Sequence, residues 1–222
     1  VDARKLTKSK IELLSQIAIK PLRIAFDDIR YKDIYVKNVR TSAECGINVL
    51  SNYILFNFKD TPQDFYQRLK INIELNEEFE RNKYKARIWS FPMKYSPISG
   101  EFAKHRKYVG KNWKKKYLRG IQCILRATHG VVGPRRQFLE EAFGKDEREF
   151  LEILTLPEDY IIHRHAHMGN GDRTRLESEI RSLTNEQKMR LDQIILDNSF
   201  ADINSKTNTQ ALIKILKLYQ AP

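Results

Sequence analysis

The feature that most constrains the fold is an alternation of strand-like and helix-like segments in the first hundred residues. Short apolar runs rich in β-branched and aromatic residues occupy residues 21–28, 47–58 and 87–95, and helical patterns occupy residues 31–46 and 61–81. Strands separated by helices of this length form parallel sheets with right-handed crossovers. The fold class predicted for this region is therefore α/β.

The start of the second helix carries the most specific local signal. Thr61 supplies an N-cap hydroxyl, Pro62 occupies the first helical position, and Asp64 stands three residues after the cap. These three residues together are typical of a helix N-terminus. Three strands cannot close a barrel, so either the sheet is small or further strands lie upstream of Val1.

The carboxyl ends of parallel strands are where α/β folds place their chemistry. The polar residues that follow the predicted strands are Asp27 and Asp28, Asn57 and Lys59, and the segment 90–94. Strand pleating puts Arg23, Ala25 and Asp27 on one face, with Ile24, Phe26 and Asp28 on the other. Arg23 and Asp27 are candidates for a ligand-binding face, and the alternative is that they pair with each other.

In the second half of the chain, the sequence pattern predicts only helices. Helical patterns cover residues 111–128, 134–143, 146–154, 184–197 and 208–219, and a further short helix at residues 10–19 precedes the first strand. Thr184 with Gln187 forms a second predicted capping box. We expect an α/β part in residues 1–100, a basic helical extension in 101–168 and a helical tail in 169–222.

The chain is basic, with 40 Lys and Arg against 28 Asp and Glu and a net charge of +12. Residues 104–119 contain eight Lys or Arg and no acid, with Tyr108, Trp113 and Tyr117 between them. Basic groups that alternate with aromatic rings favour a nucleic acid or another polyanion. The alternative is a solvated helix face whose aromatic rings lie in the core.

His163, His165 and His167 alternate along the chain and would lie on one face of an extended segment. These histidines could bind a transition metal, or they could lie in a surface loop without a metal. We favour the surface loop, because no carboxylate or thiol completes a closed site.

The only cysteines of the sequence are Cys45 and Cys123. A reducing cytoplasm is the expected setting, and no apolar run is long enough for a membrane span. The common nucleotide-binding, hydrolase and protease motifs are absent.

Longer phrases of the sequence resemble a known family. The runs NYILFNFKDTPQDFYQRLKINIELN (52–76), IWSFPMKYSPI (88–98) and YLRGIQCILRATHGVVGPRR (117–136), with residues 138–144, are similar to the later part of radical S-adenosylmethionine proteins. The resemblance covers residues 15–165. It implies the C-terminal part of a partial (β/α)6 TIM-like barrel followed by a helical extension.

The resemblance implies two cofactors, S-adenosylmethionine and a 4Fe-4S cluster. The family holds the cluster through a Cys-x3-Cys-x2-Cys loop that this chain lacks, so its ligands are expected upstream, in a missing N-terminal half of the barrel. The chain would supply a wall that contacts cofactor and substrate, and residues 104–119 and 130–136 would cap the barrel mouth. The residues this implies are Arg23, Asn57, Ser90, Phe91 and Met93 for the cofactor, and Asp27, Arg135 and Arg136 for an unknown substrate. The runner-up is a non-catalytic nucleic-acid-binding module, and a metal enzyme using the three histidines is a weaker third.

Overall fold

The computed structural model describes residues 1–105, 107–200, 203 and 208–220, with the side chain of His105 left out. The chain forms two compact units. The first comprises Val1–Asn112 and Thr128–Phe150, and the second comprises Trp113–Ala127 and Leu151–Pro222. The chain enters the second unit at Trp113, returns to the first at Thr128 and leaves it after Phe150.

The first unit contains a parallel sheet. Its described strands are β1 (Leu22–Arg23), β2 (Val49–Phe56) and β3 (Arg87–Lys94), in the order β1-β2-β3. The register aligns Arg23 with Ser51 and Ser51 with Trp89. Backbone pairing continues beyond β1, since the Ile24 and Phe26 amides donate to the carbonyls of Ser51 and Tyr53 at 2.9 and 3.2 Å. The α/β class is confirmed, and within the described residues the sheet is open rather than closed into a barrel.

The helix α1 (Lys8–Ser15) precedes β1, and two helices connect the strands: α2 (Lys32–Glu44) between β1 and β2, and α3 (Pro62–Arg81) between β2 and β3. The predicted start of α3 is confirmed. The Thr61 hydroxyl accepts from the Asp64 amide at 3.1 Å, and the Asp64 carboxylate accepts from the Thr61 amide at 2.9 Å. Such reciprocal bonds satisfy two backbone donors that a helix start would otherwise leave free.

The two faces of the sheet differ in their surroundings. Helices α2 and α3 cover one face, and the core between them contains buried apolar side chains from all three strands, among them Leu22, Ile24, Phe26, Leu50 and Ile88. We call this the covered face. The side chains of the opposite, open face are Arg23, Ala25, Asp27, Val49, Ser51, Tyr53, Leu55, Arg87, Trp89, Phe91 and Met93. The predicted pleating of residues 23–27 is confirmed, because Ile24 and Phe26 are buried whereas Arg23 is exposed.

The chain continues through helices, as predicted. They are α4 (Glu101–His105), α5 (Lys115–Ala127), α6 (Arg136–Phe143) and α7 (Glu147–Thr155). In the first unit, Phe143 and Phe150 pack their rings about Phe65 of α3, with centroids 6.2 and 6.1 Å away. The Tyr66 hydroxyl donates to the Gly144 carbonyl at 2.9 Å. Aromatic packing and this bond attach the segment after α6 to α3.

The second unit is helical. It contains α5 with α8 (Glu158–Ile162), α9 (Arg164–Gly169), α10 (Asp172–Ser182), α11 (Asn185–Asp197) and α12 (Gln210–Lys217). The predicted capping box of Thr184 and Gln187 is confirmed at the start of α11. Gly120 lies against Leu154, where a Cβ atom would meet the Leu154 carbonyl oxygen at 2.7 Å, so a larger residue would force the two segments apart. No helix in the described part of the chain is long and apolar enough to cross a membrane.

Candidate functional site

The centre of the open face is a cluster of one cation and two aromatic rings. An Arg23 guanidinium N–H donates to the Tyr53 hydroxyl, and the guanidinium carbon lies 5.3 and 5.9 Å from the ring centroids of Tyr53 and Phe91. The two rings meet edge to face with centroids 6.2 Å apart. A guanidinium over aromatic rings is held in place yet keeps unused donors. The predicted residues Arg23 and Phe91 are therefore brought together.

Other open-face side chains surround this cluster. Trp89 is 41% exposed and Met93 is 48% exposed, whereas Ser51 between the strands is only 4% exposed. The Ser51 hydroxyl has no hydrogen-bond partner among the described residues. A buried hydroxyl without a partner costs free energy and is suited to a ligand. Ser51, Tyr53 and Trp89 were not among the predicted site residues, although period-2 alternation in β2 and β3 puts them on the face of Arg23.

Asp27 lies at the carboxyl end of the first strand. Its carboxylate accepts from the Leu55 amide at 3.3 Å. Desolvation raises the pKa of Asp27, and the Leu55 hydrogen bond and the nearby Arg68 guanidinium oppose that rise. Arg23 and Asp27 thus have different partners in the structure, and the expected alternative in which they pair with each other is not what is seen.

Arg68 of α3 ties the carboxyl ends of the strands together. Its side chain is fully buried, and one guanidinium nitrogen donates to the Phe26 and Leu55 carbonyls at 3.0 and 2.8 Å. The other terminal nitrogen donates to the Asp60 carboxylate at 2.7 Å. Burial lowers the pKa of Arg68, and Asp60 counters that effect. Arg68 therefore holds in place the end of the strand that carries Asp27.

Asn57, predicted as a cofactor contact, is instead engaged within the chain. It is fully buried with a left-handed backbone at φ 71°. Its amide nitrogen donates to the Tyr95 and Tyr108 carbonyls, each at 3.1 Å, and its amide oxygen accepts from the Gly110 amide at 2.7 Å. Asparagine tolerates this backbone region better than most residues. The side chain connects the ends of β2 and β3 to the following loop.

Ser90, another predicted cofactor contact, points to the covered face. Its hydroxyl accepts from the Asn72 amide nitrogen at 2.9 Å, and the Asn72 amide oxygen accepts from the Tyr35 hydroxyl at 2.8 Å. Asn52 also donates to the Tyr35 hydroxyl, at 3.0 Å. Burial raises the pKa of Tyr35, although the Asn52 bond acts against it. Ser90 belongs to a buried polar network, whereas its neighbours Phe91 and Met93 lie on the open face.

Arg135 and Arg136, predicted to face a substrate at the barrel mouth, lie at the other end of β3. Val132 pairs antiparallel with Ser90, so the chain after Val132 runs back toward Arg87, the first residue of β3. Arg136 makes a two-point ion pair with Glu77, with both N···O distances 2.7 Å. That pairing lowers the pKa of Glu77.

The basic segment does not present all of its side chains to solvent. Trp113 and Lys116 are buried, and Tyr108 packs edge to face against Tyr95 at 5.5 Å. Burial lowers the pKa of Lys116 to about 8. Residue 106 lies outside the described residues. Burial of Trp113 and Lys116 removes two of the side chains that a nucleic-acid surface would use.

The histidine segment is helical rather than extended. His163 is the N-cap residue of α9, and His165 and His167 lie within the helix, two residues apart and therefore on different sides of it. His167 contacts the Asp159 and Asp172 carboxylates at 2.7 and 2.9 Å and stacks on Tyr160 at 4.1 Å. Within the described residues no group of three or more His, Cys, Asp or Glu side chains has the arrangement of a metal site.

The two cysteines do not fit an iron–sulfur cluster. Both are free thiols, with Cys45 at the end of α2 partly buried and Cys123 in α5 buried. Desolvation raises the pKa of Cys123, the opposite of what thiolate ligation needs. A 4Fe-4S cluster takes thiolates from several cysteines of one site. This chain on its own therefore offers no cluster-binding loop.

Comparison with known proteins identifies no relative. No family model, no curated protein and no solved structure matches the chain. The geometry of the open face, the strand ends and the amino end of β3 is therefore the basis for the functional conclusions that follow.

Proposed function

We propose that the first unit is the later part of the (β/α) barrel of a radical S-adenosylmethionine enzyme, with the open face of its sheet lining the barrel interior. The observation that carries this proposal is the strand order. β1, β2 and β3 are parallel and adjacent in chain order, with a helix between each pair. Barrels place consecutive strands side by side in this way, whereas doubly wound sheets reverse their order at a switch point.

The edge of the sheet beside β1 supports the same topology. Asp2 forms a parallel bridge with Ala25, and the Ala25 amide donates to the Val1 carbonyl at 2.8 Å. α1 follows this pairing and packs against α2. The first two residues therefore occupy a fourth parallel strand position, again in chain order and again followed by a helix. A further strand on that side would continue the series toward closure.

The open face has side chains suited to an amino-acid cofactor that carries an adenine ring. Arg23, stacked on Tyr53, would bind the carboxylate of S-adenosylmethionine, since a guanidinium matches a carboxylate in two-point geometry. Phe91 and Met93 would give apolar contact to the adenine. Asp27 would accept from a polar group of the substrate. Arg68 and Asn57 would not contact the cofactor, but would hold in place the strand ends that carry Asp27, Phe91 and Met93.

The cluster belongs elsewhere in this proposal. Because Cys45 and Cys123 do not fit it, the ligating cysteines would come from a preceding barrel segment. When bound, S-adenosylmethionine would supply radical abstraction of hydrogen from a substrate. The residues of this chain would orient the cofactor and exclude water from it. Arg135 and Arg136 lie at the opposite end of β3 and have no part in this site.

The coding sequence upstream of Val1 tests the proposal directly. We expect an in-frame Cys-x3-Cys-x2-Cys motif after a strand-like run, within roughly one domain length of Val1. The protein encoded by that longer frame, reconstituted without oxygen, should form 5′-deoxyadenosine from S-adenosylmethionine. Arg23→Ala in that protein should weaken S-adenosylmethionine binding at least about tenfold, which corresponds to about 1.4 kcal/mol.

Arg190 provides the matched control, because it is an exposed arginine of α11 in the second unit. Arg190→Ala should leave S-adenosylmethionine binding unchanged. A start codon directly before Val1, or a longer frame without a cysteine triplet, would overturn the proposal. Equal binding by the Arg23→Ala and wild-type proteins would remove Arg23 from the cofactor site.

A further inference from the structure

A large cavity lies in the first unit at the amino end of β3. Its volume is about 930 Å³, and it is lined by the last turns of α3, the start of β3 and residues 128–138. Pockets that enclose small organic ligands have volumes of about 300–1,000 Å³. The cavity is therefore large enough for a ligand the size of a nucleotide. It lies at the end of the strand opposite to Asp27 and Asn57.

One side of the cavity offers an aromatic surface. Trp89 and Phe138 both line it, and the Trp89 side chain is 41% exposed. Gly133 lies next to both rings, where a Cβ atom would contact Phe138 at 3.6 Å and Trp89 at 3.8 Å. An exposed indole in a concave site is a stacking surface for a planar ring, and stacking on a base contributes about 1–3 kcal/mol.

Another side offers positive charge. Arg87, Arg135 and Arg136 line the cavity together with the acids Glu77 and Glu80. Glu77 neutralises Arg136, whereas no carboxylate in the described part of the chain forms an ion pair with Arg135 or Arg87. Arg87 instead donates to the backbone carbonyls of Tyr84 and Ala86. Two guanidinium groups are thus available to an anion.

The start of α6 adds donors at the same place. Arg135 is the N-cap residue of this helix, and its side chain makes no capping hydrogen bond. The first backbone N–H groups of a helix attract anions, and the helix dipole favours negative charge there. The hydroxyl of Thr128, which also lines the cavity, is buried without a hydrogen-bond partner among the described residues. The cavity therefore combines an aromatic surface, two arginines that no carboxylate of the described residues neutralises, the start of a helix and the unpaired hydroxyl of Thr128.

We infer that this cavity binds a nucleoside phosphate, with the base against Trp89 and the phosphates between Arg135, Arg87 and the first turn of α6. The inference rests on the lining of this cavity and does not depend on the proposed S-adenosylmethionine site. A planar ring alone would use only the aromatic side, and a phosphate alone only the basic side. A nucleoside phosphate uses both.

The test titrates the chain with ADP and follows tryptophan fluorescence and heat of binding. Trp113 is buried, so quenching by a stacked base should come from Trp89. We expect saturable binding, with adenosine and ribose 5-phosphate each at least about tenfold weaker than ADP. Arg135→Ala should weaken ADP binding by about tenfold or more, and Trp89→Leu should weaken it by a similar factor in calorimetry.

Two control variants distinguish binding in this cavity from binding elsewhere on the chain. Arg190→Ala should leave ADP affinity unchanged, which excludes general attraction by the basic chain. Arg23→Ala should also leave it unchanged, which excludes binding at the cluster of Arg23, Tyr53 and Phe91. No saturable ADP binding up to about 10 mM would overturn the inference. So would equal ADP affinity in wild type and Arg135→Ala, a variant of an exposed side chain that is expected to fold normally.

Discussion

At the scale of single residues, Arg68 shows how a buried charge can organise a site. Transfer of a guanidinium from water to a protein interior is costly unless its hydrogen bonds are replaced. Arg68 replaces them with the carbonyls of Phe26 and Leu55 and with the carboxylate of Asp60. One side chain thereby joins the ends of two strands to the loop that begins α3.

Replacement of Arg68 by Met should destabilise the first unit by about 3–5 kcal/mol, because it removes the buried guanidinium that binds Asp60 and two backbone carbonyls. Arg40→Met is the matched control, since Arg40 also makes a two-point ion pair, with Glu78, but on the surface. That change should cost about 1 kcal/mol or less. Urea denaturation followed by circular dichroism measures both. Similar losses in the two variants would contradict the organising role of Arg68.

Lys116 illustrates the opposite case, a buried charge with poor compensation. Its amine lies 5.3 Å from the Tyr219 ring centroid, and burial lowers its pKa to about 8. The unfolded chain holds this proton up to about pH 10.4, so the folded state binds it more weakly and the free energy of unfolding rises with pH between these values.

Lys116→Met should therefore stabilise the second unit at neutral pH by about 2 kcal/mol. The advantage over wild type should shrink as the pH rises from about 8 toward about 10. Lys115→Met, the exposed neighbour in α5, should change stability little at either pH. Denaturation curves of the three proteins at both ends of this range measure the effect. An advantage that does not vary with pH would argue against a buried charge at Lys116.

For individual residues of the site, the sequence could predict the face of the sheet but not the hydrogen-bond partners. Strand pleating predicts that Arg23 and Asp27 lie on the same face of the sheet, and the structure confirms it. This could be predicted because pleating is a local property of the chain. The engagement of Asn57 could not be predicted, since its partners Tyr95 and Tyr108 are 38 and 51 residues away. Ser90 likewise finds its partner on α3. Whether a polar side chain is free or satisfied depends on packing that local patterns do not contain.

At the scale of elements, the helices with capping signals were predicted best. α3 and α11 begin where Thr61 and Thr184 indicate, because a capping box lies within four residues. The histidine segment was predicted as extended and is helical, because short polar helices such as α9 lack a strong hydrophobic pattern and depend on contacts with α8 and α10. The contacts of His167 with Asp159 and Asp172 show part of that dependence.

The junction of α8, α9 and α10 should respond to pH through His167. Burial acts to lower the pKa of His167, but the hydrogen bonds to Asp172 and Asp159 outweigh it, and the net pKa is raised. His163 lies 3.8 Å from Asp159, and Arg175 lies 3.6 Å from Asp172. A raised folded-state pKa gives stability that is complete below the unfolded value of about 6.5 and is lost as pH rises through the folded value.

His167→Gln should therefore lower the melting temperature more at about pH 5.5 than at about pH 8.5. The loss at the lower pH should be about 1 kcal/mol, since the pair is partly open to solvent. His165→Gln, on another side of α9, is the control and should show no such pH dependence. Equal effects of the His167 substitution at both pH values would mean that the imidazolium contributes nothing to this junction.

At the scale of the whole chain, the uncovered sheet face and the positive charge act in opposite directions. Val49, Tyr53, Trp89 and Met93 leave apolar surface exposed on one face of the sheet, which favours association between copies. The net charge of +12 opposes association by mutual repulsion. Salt shortens the range of that repulsion from about 10 Å at 0.1 M to about 3 Å at 1 M.

We therefore expect the isolated chain to associate through the open face, and to do so more as salt concentration rises. Met93→Lys, at a position 48% exposed on that face, should shift the equilibrium toward the monomer. Met189→Lys adds the same charge at a position 74% exposed in α11 and should shift it far less. Light scattering during size-exclusion chromatography measures the molar mass of each variant. If both substitutions reduce association equally, net charge rather than the open face controls it. If the wild-type chain stays monomeric at every salt concentration, the open face does not mediate association.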